Sequence, residues 1–212
     1  MVAKMGSDDF FKRAKQVRDL AQYKRKVGNK GPEKPRILIV CEGGKTEPNY
    51  FKCFRPANIV VIGLGQNTDS LVREAIRLQN KDDFDQVWCV FDRDNFPAHN
   101  FNLAFSLATS NNIQIVYSNE AFELWYFLHF DYLDAGITRH QYIEKLNDIM
   151  LKQFSRKYAK NSTEMYDLLL NFQSTAIKNA NTLLQNYPNL NPESDKPSTT
   201  VHLLVEELNK WK

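Results

Sequence analysis

Two acidic clusters stand about fifty residues apart in this 212-residue chain, each directly after a short apolar run. Arg36-Ile37-Leu38-Ile39-Val40-Cys41 leads into Glu42-Gly43-Gly44-Lys45-Thr46-Glu47, and Val87-Trp88-Cys89-Val90-Phe91 leads into Asp92-Arg93-Asp94. In an open α/β sheet, ligands gather at the carboxyl ends of parallel strands, so both clusters would share one rim. Glu42, Asp92 and Asp94 would there offer three hard oxygen donors, suited to Mg²⁺ or Mn²⁺ and to chemistry on phosphate. Extended backbone points Asp92 and Asp94 to the same side, with Arg93 opposite. Carboxylates that close repel unless a cation compensates them. A solvated surface turn is the plainer reading of the pair.

The glycines after Glu42 are informative by what they exclude. Gly44-Lys45-Thr46 matches the end of a P-loop, but that motif needs a glycine where Ile39 stands. What remains is a carboxylate followed by two residues without a Cβ, a turn that lets backbone approach a phosphate closely. Glu47 would supply a second carboxylate if the loop folds back; a helix-entry acid favoured by the macrodipole is the alternative. An EF-hand loop does not fit, because Phe96 and Pro97 occupy its third ligand and glycine positions. Glu123 interrupts an apolar stretch from Ala121 to Phe127, where a carboxylate is costly unless paired or metal-bound. The alternative for Glu123 is the exposed stripe of an amphipathic helix. Ser118, Asn119 and Glu120 follow a strand-like run and are candidates for the same rim, and Lys160 is a candidate for balancing charge on a phosphate. Tyr50 and Phe51 would stack on a base or pack in the core. His129 reads as a packing residue, and His99, His140 and His202 share no ligand spacing.

These residues need strands to present them. Arg36 to Cys41, Asn58 to Ile62, Gln86 to Phe91 and Ile113 to Tyr117 read as strands covered on both faces. Between them lie helix candidates. One follows Thr46-Glu47-Pro48; one, capped by Thr68, Asp69 or Ser70, carries Leu71, Val72, Ala75, Ile76 and Leu78; one after Pro97 carries Leu103, Phe105 and Leu107. The alternation predicts an α/β fold with a mostly parallel four-stranded sheet flanked by helices. From about residue 121 the pattern turns helical. Phe122, Trp125, Tyr126 and His129 share one face, and Asn161 with Glu164 suggests a cap for a helix bearing Leu168, Leu169, Phe172, Ala176 and Leu183. Tyr187 to Thr200 reads as a loop before a last helix with Val201, Leu204, Val205, Leu208 and Trp211.

Charge is unevenly spread. Between Lys12 and Arg36 ten Lys or Arg oppose only Asp19 and Glu33, so this stretch carries +8 and the remainder −5 of the total +3. Residues 1–35 therefore read as a basic arm ending at Gly31-Pro32-Glu33-Lys34-Pro35, with a single domain over 36–212. Lys12, Arg13, Lys15, Arg18, Lys24, Arg25 and Lys26, with Lys45 in the glycine turn, are the candidate nucleic-acid contacts. A solvated leader is the alternative. No run suits a membrane span or a signal peptide, which predicts a soluble cytoplasmic protein without a membrane partner. Cys41, Cys53 and Cys89 leave an odd count without zinc-site or disulfide spacing.

Strand-Glu-Gly followed by strand-Asp-x-Asp resembles the Toprim domain of topoisomerases, bacterial primases and OLD-type nucleases. More closely, the chain resembles the RloB family of Toprim-related proteins found with restriction and phage-defence loci. ILIVCEGGKTEPNYF (Ile37 to Phe51), VWCVFDRDN (Val87 to Asn95), SNEAFELWYFLHF (Ser118 to Phe130) and STTVHLLVEEL (Ser198 to Leu208) carry the resemblance. It implies Glu42 as general acid/base or metal ligand, Asp92 and Asp94 as Mg²⁺ ligands, and Glu47 as an auxiliary ligand. It further implies a metal-dependent nuclease cutting DNA or RNA, tRNA included, in anti-phage defence, with an AAA-type or ABC-type ATPase as partner. Two other readings compete. A non-catalytic module would bind nucleic acid or a partner through the arm. A HAD-type phosphatase would use Asp92 as nucleophile, although Phe96 replaces the usual Thr or Val and Glu42 would have no duty.

Overall fold

The computed structural model describes residues 34–54, 58–65, 68–93, 98–189 and 191–212. Strands β1 (Ile37–Cys41), β2 (Ile59–Gly63), β3 (Gln86–Asp92) and β4 (Gln114–Asn119) form a parallel sheet in the order β2-β1-β3-β4. A fifth strand, β5 (Ser198–Thr199), runs antiparallel beside β4. The sheet thus has five strands where the sequence predicts four, and the extra pair lies inside the predicted Tyr187 to Thr200 loop. Side-chain hydroxyls do much of the joining. Ser118 Oγ and Thr199 Oγ1 are 2.9 Å apart, Thr199 Oγ1 donates to Tyr117 O at 3.0 Å, and Tyr117 N donates to Thr200 Oγ1 at 3.0 Å.

The nearly continuous apolar strands are explained by cover on both faces. Alternate residues divide between two cores: Ile37, Ile39, Cys41, Trp88 and Val90 face one way, and Leu38, Val40, Val87, Cys89 and Phe91 the other. Helices α2 (Thr68–Gln79) and α3 (Ala98–Ser110) cover the second face with Leu71, Val72, Ala75, Leu78, Phe101, Ala104 and Ala108. In α3 the small residues turn inward and Leu103 is left exposed.

The first face takes α1 (Thr46–Phe51), α4 (Glu123–Leu128), α5 (Arg139–Phe154), α6 (Met165–Leu169), α7 (Gln173–Leu184) and α8 (Val201–Asn209). The sequence reading makes no separate element of α5. Its Thr138 cap forms a complete capping box with Gln141, and Tyr142, Leu146 and Met150 are buried at four-residue spacing. The helix expected after Asn161 is instead α6, a 3₁₀ turn (Leu170–Phe172) and α7 in succession, with Glu164 at the first boundary. Asn161 has φ of 70°, a left-handed conformation that asparagine tolerates, and its side chain serves another purpose. No described helix is long and apolar enough to cross a membrane.

Candidate active site

The strand order sets the location of the site. The chain leaves β1 through α1 on one face and leaves β3 through α3 on the other, so the two connections part at the carboxyl ends of adjacent strands. A crevice at such a switch point follows from topology alone. It is a cleft of ≈ 230 Å³ lined by Glu42, Gly43, Gly44, Lys45, Thr46, Glu47, Asp92, Phe122, Glu123, Arg139, Lys160 and Asn161.

Glu42 is the first residue past β1, and its backbone remains tied to both neighbours: its N donates to Val90 O at 2.8 Å and its carbonyl accepts from Gly65 N at 2.8 Å. Its carboxylate turns across the crevice, where Oε2 accepts the Asp92 backbone N–H at 3.2 Å. Glu47 comes back from the first turn of α1 and is 5% exposed. Gly43 makes room for it, since a Cβ there would stand 2.1 Å from Glu47 Oε2. Among the described residues nothing lies within 4 Å of a Cβ at Gly44, which leaves that stretch of backbone open to a ligand. Lys45 is exposed at the edge.

Glu123 begins α4 and is 1% exposed, so it does not sit on an exposed stripe. Tyr158 Oη donates to its Oε1 at 3.1 Å, and Lys160 Nζ lies 3.8 Å from the same oxygen. Asn161 holds the Lys160 loop against α1: its Oδ1 accepts from Thr46 Oγ1 and its carbonyl from Asn49 Nδ2, both at 2.8 Å. Arg139, the first residue of α5, places Nη2 3.2 Å from Asp92 Oδ2.

Burial and crowding of the acids raise the proton affinity of Asp92 and Glu47. Burial holds the Asp92 carboxyl well above the usual carboxylate range, repulsion from Glu47, Glu123 and Glu42 adds to this, and Arg139 opposes it. Burial also raises Glu47; repulsion from Glu123 adds to it, while backbone N–H groups of Glu47 and Gly43 and the Lys160 charge pull the other way. Asp92 Oδ1 is buried with no hydrogen-bond partner among the described residues. Among those residues no three His, Cys, Asp or Glu form a ready-made metal cage. The donor set still fits a hard divalent cation: oxygen ligands only, mutual repulsion awaiting positive charge, and an unpartnered carboxylate oxygen.

The structure thus brings Glu42, Glu47, Asp92, Glu123, Lys45 and Lys160 to one cleft. Asp94 and the arm residues Lys12, Arg13, Lys15, Arg18, Lys24, Arg25 and Lys26 lie outside the described residues. The described chain starts at Lys34, which donates to Trp211 O at 2.6 Å just before the amino end of β1. That end of the strand is opposite the cleft. Ser118, Asn119 and Glu120 do not line the cleft: Ser118 bonds Thr199, Asn119 donates to Pro192 O at 3.4 Å, and Glu120 pairs with Lys196 and accepts the Arg139 N–H.

Base stacking by Tyr50 and Phe51 is excluded by burial. Both are within a cluster with Phe54, Phe122, Trp125 and Tyr166 beneath α1. His129 packs as expected, 4.7 Å from the Trp125 ring, and burial lowers its imidazole to about 4. Cys41 and Cys89 are buried thiols, and burial pushes their pKa up and keeps them protonated.

Arg139, Tyr158 and Asn161 are the site residues that sequence reasoning missed or misplaced. The Thr138-Arg139-His140-Gln141 capping box was the available signal for the first. The family model described as RloB-like protein matches residues 37–208. No curated protein and no solved structure matches the chain.

Proposed function

The chain belongs to the RloB-like family, and from that membership and the chemistry of its cleft we propose that it is a divalent-metal-dependent nuclease. The observation that carries the proposal is the convergence of Glu42, Glu47, Asp92 and Glu123 with Lys160 at the switch point of the sheet. Structural acids are seldom collected in one crevice, partly buried and short of counter-charge, because desolvation and repulsion both oppose it. Relation to the Toprim nucleases and an effector role in anti-phage defence, with an AAA-type or ABC-type ATPase as activator, belong to the same proposal.

Asp92, Glu42, Glu47 and Glu123 would hold one or two Mg²⁺, with Asp94 added from the residues next in sequence. When bound, the ions polarise the phosphate and lower the pKa of an attacking water. Glu42 takes the proton from that water, its carboxylate oriented by the Asp92 N–H. Lys160 balances charge growing on the phosphate, and its loop is fixed by the Asn161 contacts to α1. The open backbone at Gly44 admits a phosphate, and Lys45 meets the next one along the strand.

The test is isothermal calorimetry of Mn²⁺ and Mg²⁺ with wild type and the Asp92→Ala/Asp94→Ala double variant, with plasmid and total tRNA cleavage on the same samples. Metal binding and cleavage lost together support the nuclease, and the polymer cut identifies the substrate class. Metal binding without cleavage, even with a candidate ATPase added, overturns nuclease activity. No metal binding by folded wild type overturns the metal site.

A further inference from the structure

Arg139 is an unusual residue for its place. It opens α5, where the positive end of the helix dipole disfavours a cation, so the helix gains nothing from it. Its backbone N–H is held by Glu120 Oε1 at 3.0 Å, and Glu120 is in turn paired with Lys196 on the loop before β5. The start of α5 is thereby fastened to the end of β4. The guanidinium reaches across to Asp92 Oδ2, the oxygen beside Oδ1 of the same carboxylate, which is buried and has no hydrogen-bond partner among the described residues.

We propose that Arg139 is an exchangeable counter-cation: it occupies Asp92 in the metal-free protein, yields that carboxylate to an entering divalent ion, and then engages the phosphodiester drawn to the same cleft. This rests on the metal-site reading above and adds an order of events to it. Among the described residues four acids line the cleft against Lys45, Arg139 and Lys160, and of these cations Arg139 is the one paired with Asp92. A guanidinium suits both partners, since its planar fork matches carboxylate and phosphate alike. Its side chain is 35% exposed, at the mouth of the cleft and outside the apolar core, although its Nε is buried.

The experiment compares Mn²⁺ isotherms of wild type, Arg139→Gln and Arg139→Lys at pH 8 without substrate, with circular dichroism melts as the check on folding. A competing cation removed from a ligand predicts roughly tenfold tighter Mn²⁺ binding in R139Q, the scale of a partly exposed charge pair. R139K stays near wild type. In the Mn²⁺-loaded proteins, R139Q also binds the phosphodiester probe bis(p-nitrophenyl) phosphate several-fold more weakly. Unchanged or weaker Mn²⁺ affinity in folded R139Q, with wild type binding normally, overturns the exchange and leaves the metal site standing. Mn²⁺ binding by neither protein overturns both.

Discussion

Gly43 and Gly44 are adjacent and chemically identical, yet the structure predicts opposite consequences for adding one methyl group. At Gly43 the new Cβ would lie 2.1 Å from Glu47 Oε2, 2.6 Å from Oε1 and 2.7 Å from Cδ. Ordinary contact begins near 3.4 Å, so the Glu47 carboxylate must retreat by roughly 1 Å. The obstacle is the end of a flexible side chain, so folding survives. The cost falls on position, because Glu47 is buried in the cleft wall. A ligand displaced this far should weaken Mn²⁺ binding about tenfold or more, and a misplacement of ~1 Å near a reacting centre can cost ~100-fold in rate.

At Gly44 the methyl meets none of the described residues within 4 Å. Neither glycine lies in the left-handed region, so alanine is tolerated by the backbone at both positions. Gly44→Ala should stabilise the fold by about 0.4–1 kcal/mol through the unfolded state, a Tm rise of ~1–4 °C, with metal affinity retained. Calorimetric Mn²⁺ isotherms and thermal melts of G43A and G44A, with cleavage rates where a substrate is found, make the comparison. Equal Mn²⁺ affinity in the two variants would refute Glu47 as a ligand. A failure of G43A to fold would refute the claim that its carboxylate can yield.

Two further outcomes follow from the cleft. Tyr158→Phe removes the hydroxyl that donates to the buried Glu123 Oε1 and should cost about 1–3 kcal/mol, measured by urea unfolding, because the acceptor stays buried. In the metal-free protein Asp92 and Glu47 should contribute a loss of stability as pH rises above ~4, the unfolded carboxylate value, while His129 and His202, both lowered to about 4 by burial, contribute a gain that ends near ~6.5. With Asp92 and Glu47 raised in the folded state, these two groups bind more protons in the native chain than in the unfolded one from ~4 up to their folded values, so their share of the slope is negative. Relative to metal-free wild type, Asp92→Asn should make the measured slope more positive in urea titrations between pH 5 and 8, and excess Mg²⁺ should do the same to wild type.

Local chemistry sufficed for the four parallel strands and for the placing of acids at their ends. Apolar β-branched runs such as Ile37-Leu38-Ile39-Val40 have little choice but to be doubly covered strands. The acids that follow them, Glu42 and Asp92, then stand at strand ends whatever the helices do. The rest depended on residues distant in sequence. α1 and α4 are six-residue helices with five and six residues buried, so no periodicity marks an outward face. The direction of Tyr50 and Phe51 into the core, and the burial of Glu123, were decided by what packs on those helices. β5 is two residues long and is paired largely through hydroxyls, too short for any alternation to register. Arg139 meets Asp92 across 47 residues, and Tyr158 meets Glu123 across 35. Acids at strand ends are a local property of the chain. The counter-charges and hydrogen bonds that surround them come from loops and helix starts whose positions exist only once both faces of the sheet are covered.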